Sequence, residues 1–416
     1  MEKQLARHII ETLRAGVPSR EVSDVLMEGQ TKLLARIQND LDRVAQGDHA
    51  ALIVLGQYGE GKTHLLSAAE NKARAGGFAV SNIVLSKETP FNRINKVYEA
   101  AAHAVAARDL SRSGFEDILL RLHPNANATH DIAEYAEGHL HPKIAYVFRN
   151  YLREGDVFKQ AQLYDDLAGA SLTMTDLRAI HRGNFHEAVR MPRRFLIQQD
   201  TLDYFRFLGF LLRHTGYKGW VILIDEVELL GKLGIGSRAQ AYVNLAALLG
   251  LTEEQSPLGS TYVVLALATP FVQGVLSAGG RNDLAKVPEW LLDPRRNRAG
   301  EAPLARAAME SIVTDSTLLE PLTEGNIQTV LARLEEYHKL AYEWDGEMNT
   351  EFVRTKSLAQ PSNSTRTTIR AGLEYLDLLY QYHKAPDIEV RTPDTDVFDE
   401  DTRFEGRQTA DDDANR

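Results

Sequence analysis

The sequence predicts an α/β fold, a parallel sheet flanked by helices. Three observations predict it. Ala51-Leu52-Ile53-Val54-Leu55 is a short, continuous apolar run with β-branched residues at its centre, the pattern of a strand buried on both faces. A glycine-rich loop follows and opens a helical pattern over 63–75, with Leu65, Leu66, Ala69 and Ala73 on one stripe. Gly76-Gly77 stops that helix, and 78–85 reads as the next strand. The opening is therefore β–loop–α–β, the repeating unit of such a sheet.

The other elements follow from the same periodicities. Residues 1–15 read as an amphipathic helix, with Leu5, Ile9, Ile10 and Leu13 on one side, broken by Gly16-Val17-Pro18-Ser19. Leu33, Leu34, Ile37, Leu41 and Val44 predict a helix over 30–45, and Gly47-Asp48 a turn. Residues 92–215 are mostly helical in pattern, with loops near Pro124 and Gly155. Strands are expected over 221–224, 262–268 and 317–319, and helices over 324–344 and 367–383. From about residue 386 the chain has too little apolar surface to offset its ordering entropy and is expected to be disordered.

With 416 residues, 44% of them apolar, the chain has room for two or three domains with sizeable cores. It has no cysteine, which excludes disulfides and Cys-type zinc sites. The first residues form no apolar signal segment, and no apolar run reaches the roughly 18 residues a membrane helix needs. The expectation is a soluble, cytoplasmic protein. The net charge of −11 disfavours nucleic acid, but most of it sits after Pro386, where 11 acidic residues meet 4 basic ones. A basic patch on the rest of the chain stays open.

Gly56-Gln57-Tyr58-Gly59-Glu60-Gly61-Lys62-Thr63 fits G-x-x-x-x-G-K-[ST] throughout. Glycines let backbone N–H groups approach phosphate oxygens, and the helix N-terminus adds unpaired donors aimed at the same anion. Lys62 is expected on the β and γ phosphates and Thr63 on Mg²⁺. Between a buried strand and a helix, the motif predicts a nucleotide site that continues into His64. Val221-Ile222-Leu223-Ile224 runs straight into Asp225 and Glu226. In P-loop enzymes the first such acid holds Mg²⁺ and the second polarises the attacking water. Thr269 ends the run from Val263 to Ala268; it reaches the γ-phosphate if that strand neighbours the P-loop strand. A hydroxyl that merely opens the turn before Pro270 is the lesser alternative.

These residues, with the Gly-Lys-Thr-His start, the segment from Gly216 to Glu228 and Leu319-Glu320-Pro321-Leu322-Thr323, resemble the ATP-binding proteins of BREX-type phage-defence systems, the BrxD type. The loop and helix start are also similar to replication initiators and helicase loaders of the AAA+ class. The resemblance implies an AAA+ core over 1–100 and 201–320. It also implies a helical insertion over 101–200 and a helical lid over 321–385, beside the disordered acidic tail that composition gives over 386–416. It further implies ATP and Mg²⁺ as cofactors, a homo-oligomer, defence-system partners and hydrolysis coupled to remodelling of a DNA-associated complex, with double-stranded DNA as an open partner. Lids of this class place an arginine on the γ-phosphate. Asn363-Ser364-Thr365-Arg366-Thr367 is similar to that motif but lacks its Gly and Pro, so Arg366 is the candidate and Arg370 the substitute. Arg295, Arg296 and Arg306 lie where a neighbour-completing arginine would.

Lys62 and Asp225 lie 163 residues apart, so the helical segment between them is expected to stand outside the sheet and contact a partner or DNA. It holds Arg190, Arg193 and Arg194, a small basic group that a solvated helix end explains equally. Its His130, His139 and His141 match no metal-ligand spacing. The alternative to an ATPase is a non-hydrolysing scaffold switched by nucleotide, which has no need of Glu226. A GTPase lacks its Asn-Lys-x-Asp sequence here, and the lid features disfavour a small-molecule kinase.

Overall fold

The computed structural model describes residues 2–15, 30–252, 258–321, 323–358, 365–384 and 388. Five strands, β1 (His49–Gly56), β2 (Ala79–Val84), β3 (Trp220–Asp225), β4 (Thr261–Ala268) and β5 (Thr317–Leu318), form one parallel sheet in the order β2-β3-β4-β1-β5. Each lies within two residues of its expected span. β3 and β4 are central and buried at every position, which is why they read as unbroken apolar runs. β4 lies between β1 and β3, in register from Gly56 opposite Ala268 to Ile224 opposite Leu265.

Side chains alternate across the sheet. Leu52 and Val54 join one cluster with Leu33, Ile37 and Leu41 of α2 (Thr31–Val44) and Leu65, Leu66 and Ala69 of α3 (Lys62–Ala75). Ile53 and Leu55 face the larger core on the other side. Between β2 and β3 run α4 (Ile94–His103), α5 (Glu116–Leu120), α6 (Asn127–His139), α7 (Pro142–Arg153), α8 (Val157–Leu167), α9 (Met174–Phe185) and α10 (Ile197–His214). The loops expected near Pro124 and Gly155 separate α5 from α6 and α7 from α8. These helices share one core with the sheet, in which Phe148, Phe205 and Phe207 are fully buried. The Trp220 indole donates to Ser81 Oγ at 2.9 Å and joins β2 to β3 inside it. The same core takes in α11 (Ile235–Leu248), α12 (Asp283–Leu292) and α13 (Ala302–Thr314), which the sequence reading did not resolve.

A third cluster joins α14 (Glu324–Tyr342), α15 (Thr350–Leu358) and α16 (Thr365–Tyr382) to α1 (Glu2–Ala15). Ile9 and Ile10 of α1 are buried with Leu331, Leu334 and Leu376. Arg14 closes the contact with two bonds to the Asp377 carboxylate, at 2.6 and 3.1 Å. The N-terminal helix thus packs on the C-terminal helices and not on the sheet. Ile388 is buried in this cluster; the remainder of the predicted acidic tail lies outside the described residues, as do Leu322, Asn363 and Ser364.

Candidate functional site

The loop after β1 sets the site. Gly61 caps α3 at φ +101°, a left-handed conformation that L side chains rarely adopt. A Cβ on Gly56 would lie 2.8 Å from Leu319 Cδ1 and 3.2 Å from Lys62 Cγ, so a side chain there would push Leu319 aside and crowd Lys62. Lys62 is buried, and its ammonium donates to the carbonyls of Gly56 (3.1 Å) and Gln57 (3.2 Å) and lies 5.2 Å from the centre of the Tyr58 ring. The Glu60 carboxylate accepts the Gln57 N–H at 2.5 Å. Lys62 thus starts at the base of the loop, on neutral oxygens that phosphate oxygens can replace at greater Coulomb gain.

Across the sheet, β3 delivers Asp225 to the same place. Thr63 Oγ1 donates to Asp225 Oδ2 at 2.7 Å although 162 residues separate them. A hydroxyl and a buried carboxylate converging in this way are hard oxygen ligands, a donor set that fits Mg²⁺. The other Asp225 oxygen accepts the Glu226 N–H at 2.9 Å. Glu226 itself has φ +60° and ψ +33°, a left-handed conformation uncommon outside glycine, from which a 3₁₀ turn (Val227–Lys232) departs. Six other described non-glycine residues share this conformation, so what singles out Glu226 is its place beside Asp225 and the loop.

The register puts Thr269 where the neighbouring-strand expectation requires, since β4 pairs with β1 and the Thr269 N–H donates to Gly56 O at 3.1 Å. Arg366, in the first turn of α16, donates its backbone N–H to Gly59 O at 3.0 Å. His64 is held down to about 4 by burial and then by the Arg366 charge, so it stays neutral near pH 7. Loop and helix enclose a cavity of about 360 Å³ lined by Tyr58, Gly59, Lys62, Thr63, Glu226, Arg366, Ile369, Arg370 and, from α1, Leu13 and Arg14. Of the residues expected at the nucleotide, all but Asp225 and Thr269 line this cavity or belong to its loop; Asp225 meets it through Thr63, and Thr269 bonds the loop at Gly56.

Other expectations lie elsewhere. Arg295 pairs with Asp293 at 2.9 Å, Arg296 stacks 3.7 Å above Trp290, and Arg306 is exposed on α13. Arg193 is paired with Asp200. The His141 ring nitrogen accepts from Lys143 N at the start of α7, and His139 stacks on Tyr135. No group of three or more His, Cys, Asp or Glu able to hold a metal occurs among the described residues.

Two contributors escaped the sequence reading. α1 lines the cavity, and nothing local links residue 14 to residue 61. Glu228, in the turn after Glu226, is 1% exposed, and neither carboxylate oxygen has a hydrogen-bond partner among the described residues. Burial, then the Glu226 charge, pushes it up to about 7. Its signal was an acid set inside the apolar stretch Val227, Leu229, Leu230.

Comparison with curated proteins returns no match, and comparison with solved structures returns none. The family described as "BREX system ATP-binding protein BrxC/D" matches residues 1–134 and 123–392. Together these spans take in the loop, both acids and the C-terminal helices, and the chain belongs to the BREX system ATP-binding protein BrxC/D family.

Proposed function

We propose that the chain is an AAA+ ATPase that hydrolyses ATP with Mg²⁺ to switch or remodel a DNA-associated complex in phage defence. The observation that carries this reading is the meeting of Thr63 with Asp225 beside a strained Glu226 at the mouth of a phosphate-binding loop. Backbone amides from Gly59 to Thr63 bind phosphate oxygens, and Lys62 leaves the Gly56 and Gln57 carbonyls for the β and γ phosphates. Thr63 and Asp225 hold the metal, which when bound neutralises charge shared by those phosphates. Glu226 orients and polarises the water that attacks the γ-phosphorus. Thr269 and Arg366 contact the γ-phosphate, and the bond from Arg366 N–H to Gly59 O supports reading 321–385 as a lid whose α16 senses nucleotide. The helices over 101–200 serve as the partner-contacting insertion. Arg295, Arg296 or Arg306 completes the site of the next subunit in a homo-oligomer.

ATP turnover of the wild type and of Glu226→Gln, with and without double-stranded DNA and over a range of protein concentrations, tests the reading. Losing the polarising acid is expected to cost at least about a hundredfold in rate while nucleotide binding persists. Turnover per chain that rises with concentration supports the oligomer, and stimulation by DNA names the partner class. If both proteins bind ATP and neither hydrolyses it, the ATPase reading fails and the chain is a nucleotide-switched scaffold.

A further inference from the structure

The helices between β2 and β3 carry a motif that the nucleotide site does not use. α8 and α9 both pack on α7. Four residues, 169–172, separate Ala168, the C-cap of α8, from Thr173, the N-cap of α9. Gly169 in that turn has φ +109°, and a Cβ on it would lie 2.9 Å from Glu99 Cα, so a side chain there would push the turn off α4. Asp166 pins the turn from the other side. Its buried carboxylate accepts the Leu172 N–H at 2.8 Å and the Tyr204 hydroxyl at 2.5 Å, and pairs with the Lys143 ammonium of α7 at 2.6 Å. Thr173 accepts the Asp176 N–H at 3.1 Å and donates its hydroxyl to the Asp176 carboxylate at 2.6 Å, which closes the start of α9. Two helices joined by a short, glycine-containing turn form a helix-turn-helix.

The second of these helices faces outward with positive charge. α9 buries Leu177, Ile180 and His181 and exposes Thr175, Arg178, Ala179, Arg182 and Gly183. Arg178 and Arg182 stand one turn apart, and neither side chain has a hydrogen-bond or ion-pair partner among the described residues. Ala179 and Gly183 between them leave room for close approach. At the end of α9, Arg153 and Arg149 of α7 lie 4.8 and 5.2 Å from the centre of the Phe185 ring and extend the basic face. Segment 174–194 holds five arginines and two acids in a chain of net charge −11, so the positive charge is local and suits a polyanion. We propose that α9 is a recognition helix that enters the major groove of duplex DNA, with Arg178 and Arg182 on phosphates at its edges. That groove admits an α-helix, whereas the major groove of A-form RNA is too narrow for side chains to read. A single strand calls for aromatic stacking platforms, and the exposed face of α9 carries no aromatic residue. The proposal rests on the reading of 101–200 as the partner-contacting insertion and does not require ATP hydrolysis.

Fluorescence anisotropy of a short labelled DNA duplex, titrated at several salt concentrations, tests this. The proteins are wild type, Arg178→Ala/Arg182→Ala and, as a control that removes equal charge from exposed positions elsewhere, Lys32→Ala/Lys286→Ala. The arginine variant is expected to bind at least about tenfold more weakly, with a salt slope reduced by about 2, since each phosphate contact contributes about 1. The control should bind as wild type does, and ATP turnover without DNA should be the same in all three. A wild type that does not bind the duplex with or without ATP overturns the proposal. So does unchanged binding by the arginine variant, an equal loss in the control, or preferred binding of a single strand or of duplex RNA in competition. ATP turnover keeps the two readings apart. A protein that binds the duplex through these arginines without hydrolysing ATP sinks the ATPase and keeps the recognition helix; one that hydrolyses ATP and binds no duplex does the reverse.

Discussion

At Gly61 and Glu226 the backbone itself is the constraint. Both are left-handed, but only Gly61 can be so without a Cβ penalty, and a Cβ there would meet no atom within 4 Å. Gly61→Ala should therefore cost about 1–2 kcal/mol through backbone strain alone, read as a lower denaturant midpoint with an unchanged slope. Lys62→Ala should weaken ATP binding at least about tenfold, checked by titration with a fluorescent nucleotide, because it removes charged donors from the phosphates. Glu228 makes stability depend on pH. Its ordinary value is 4.5, and burial beside Glu226 raises it to about 7 in the folded protein. The folded state holds that proton more tightly, so the contribution is complete below pH 4.5 and is lost as pH rises through 7. The melting temperature of wild type should drop relative to Glu228→Gln across that window; parallel curves would contradict the assignment. The loop, Asp225 and Glu226 were legible because contiguous motifs and strand ends carry their own chemistry. Glu228 was not, because one acid among apolar neighbours reads as the wet side of a helix until its burial is seen.

Elements were legible where one periodicity ran unbroken. All five strands and α1, α2, α14 and α16 fall close to their expected spans, since buried strands and amphipathic helices leave strong patterns, while α15 was not expected. α11 is buried on several sides, so its apolar residues show no single stripe, whereas α12 and α13 each bury one short stripe, Val287 with Leu291 and Ala305 with Met309 and Ile312. Polar bonds add to the placement of α11 against α12. Arg238 of α11 pairs with Asp283 of α12 at 2.8 Å with both side chains buried, and Tyr242 donates to the same carboxylate at 2.8 Å. Arg238→Ala leaves a buried charge unpaired and should cost about 3–5 kcal/mol, measured by denaturant unfolding. α1 shows the opposite case: its stripe was plain and its partner was not. Ile10→Ala should cost about 2–5 kcal/mol and loosen the C-terminal helices, seen as faster amide exchange in α14 and α16.

At the scale of the molecule, the sheet order β2-β3-β4-β1-β5 brings the loop after β1, the acids after β3 and Thr269 after β4 to one edge, the carboxyl ends of parallel strands. The C-terminal helices then meet this edge through the Arg366–Gly59 bond and carry α1 with them to the cavity wall. Arg366→Ala should lower ATP turnover more than Arg370→Ala, since the backbone bond of residue 366 to Gly59, which alanine keeps, seats the Arg366 guanidinium beside the loop and the substitution then removes that charge; equal effects would place the sensing role elsewhere. The fold class, the nucleotide loop and the paired acids were readable from the chain alone, because each is a local pattern whose chemistry is complete within a dozen residues. The meeting of Thr63 with Asp225, the orphaned Glu228 and the docking of α1 beside residue 61 emerged only in three dimensions. Each depends on residues brought together by packing across long stretches of chain, and no sequence period records such a meeting.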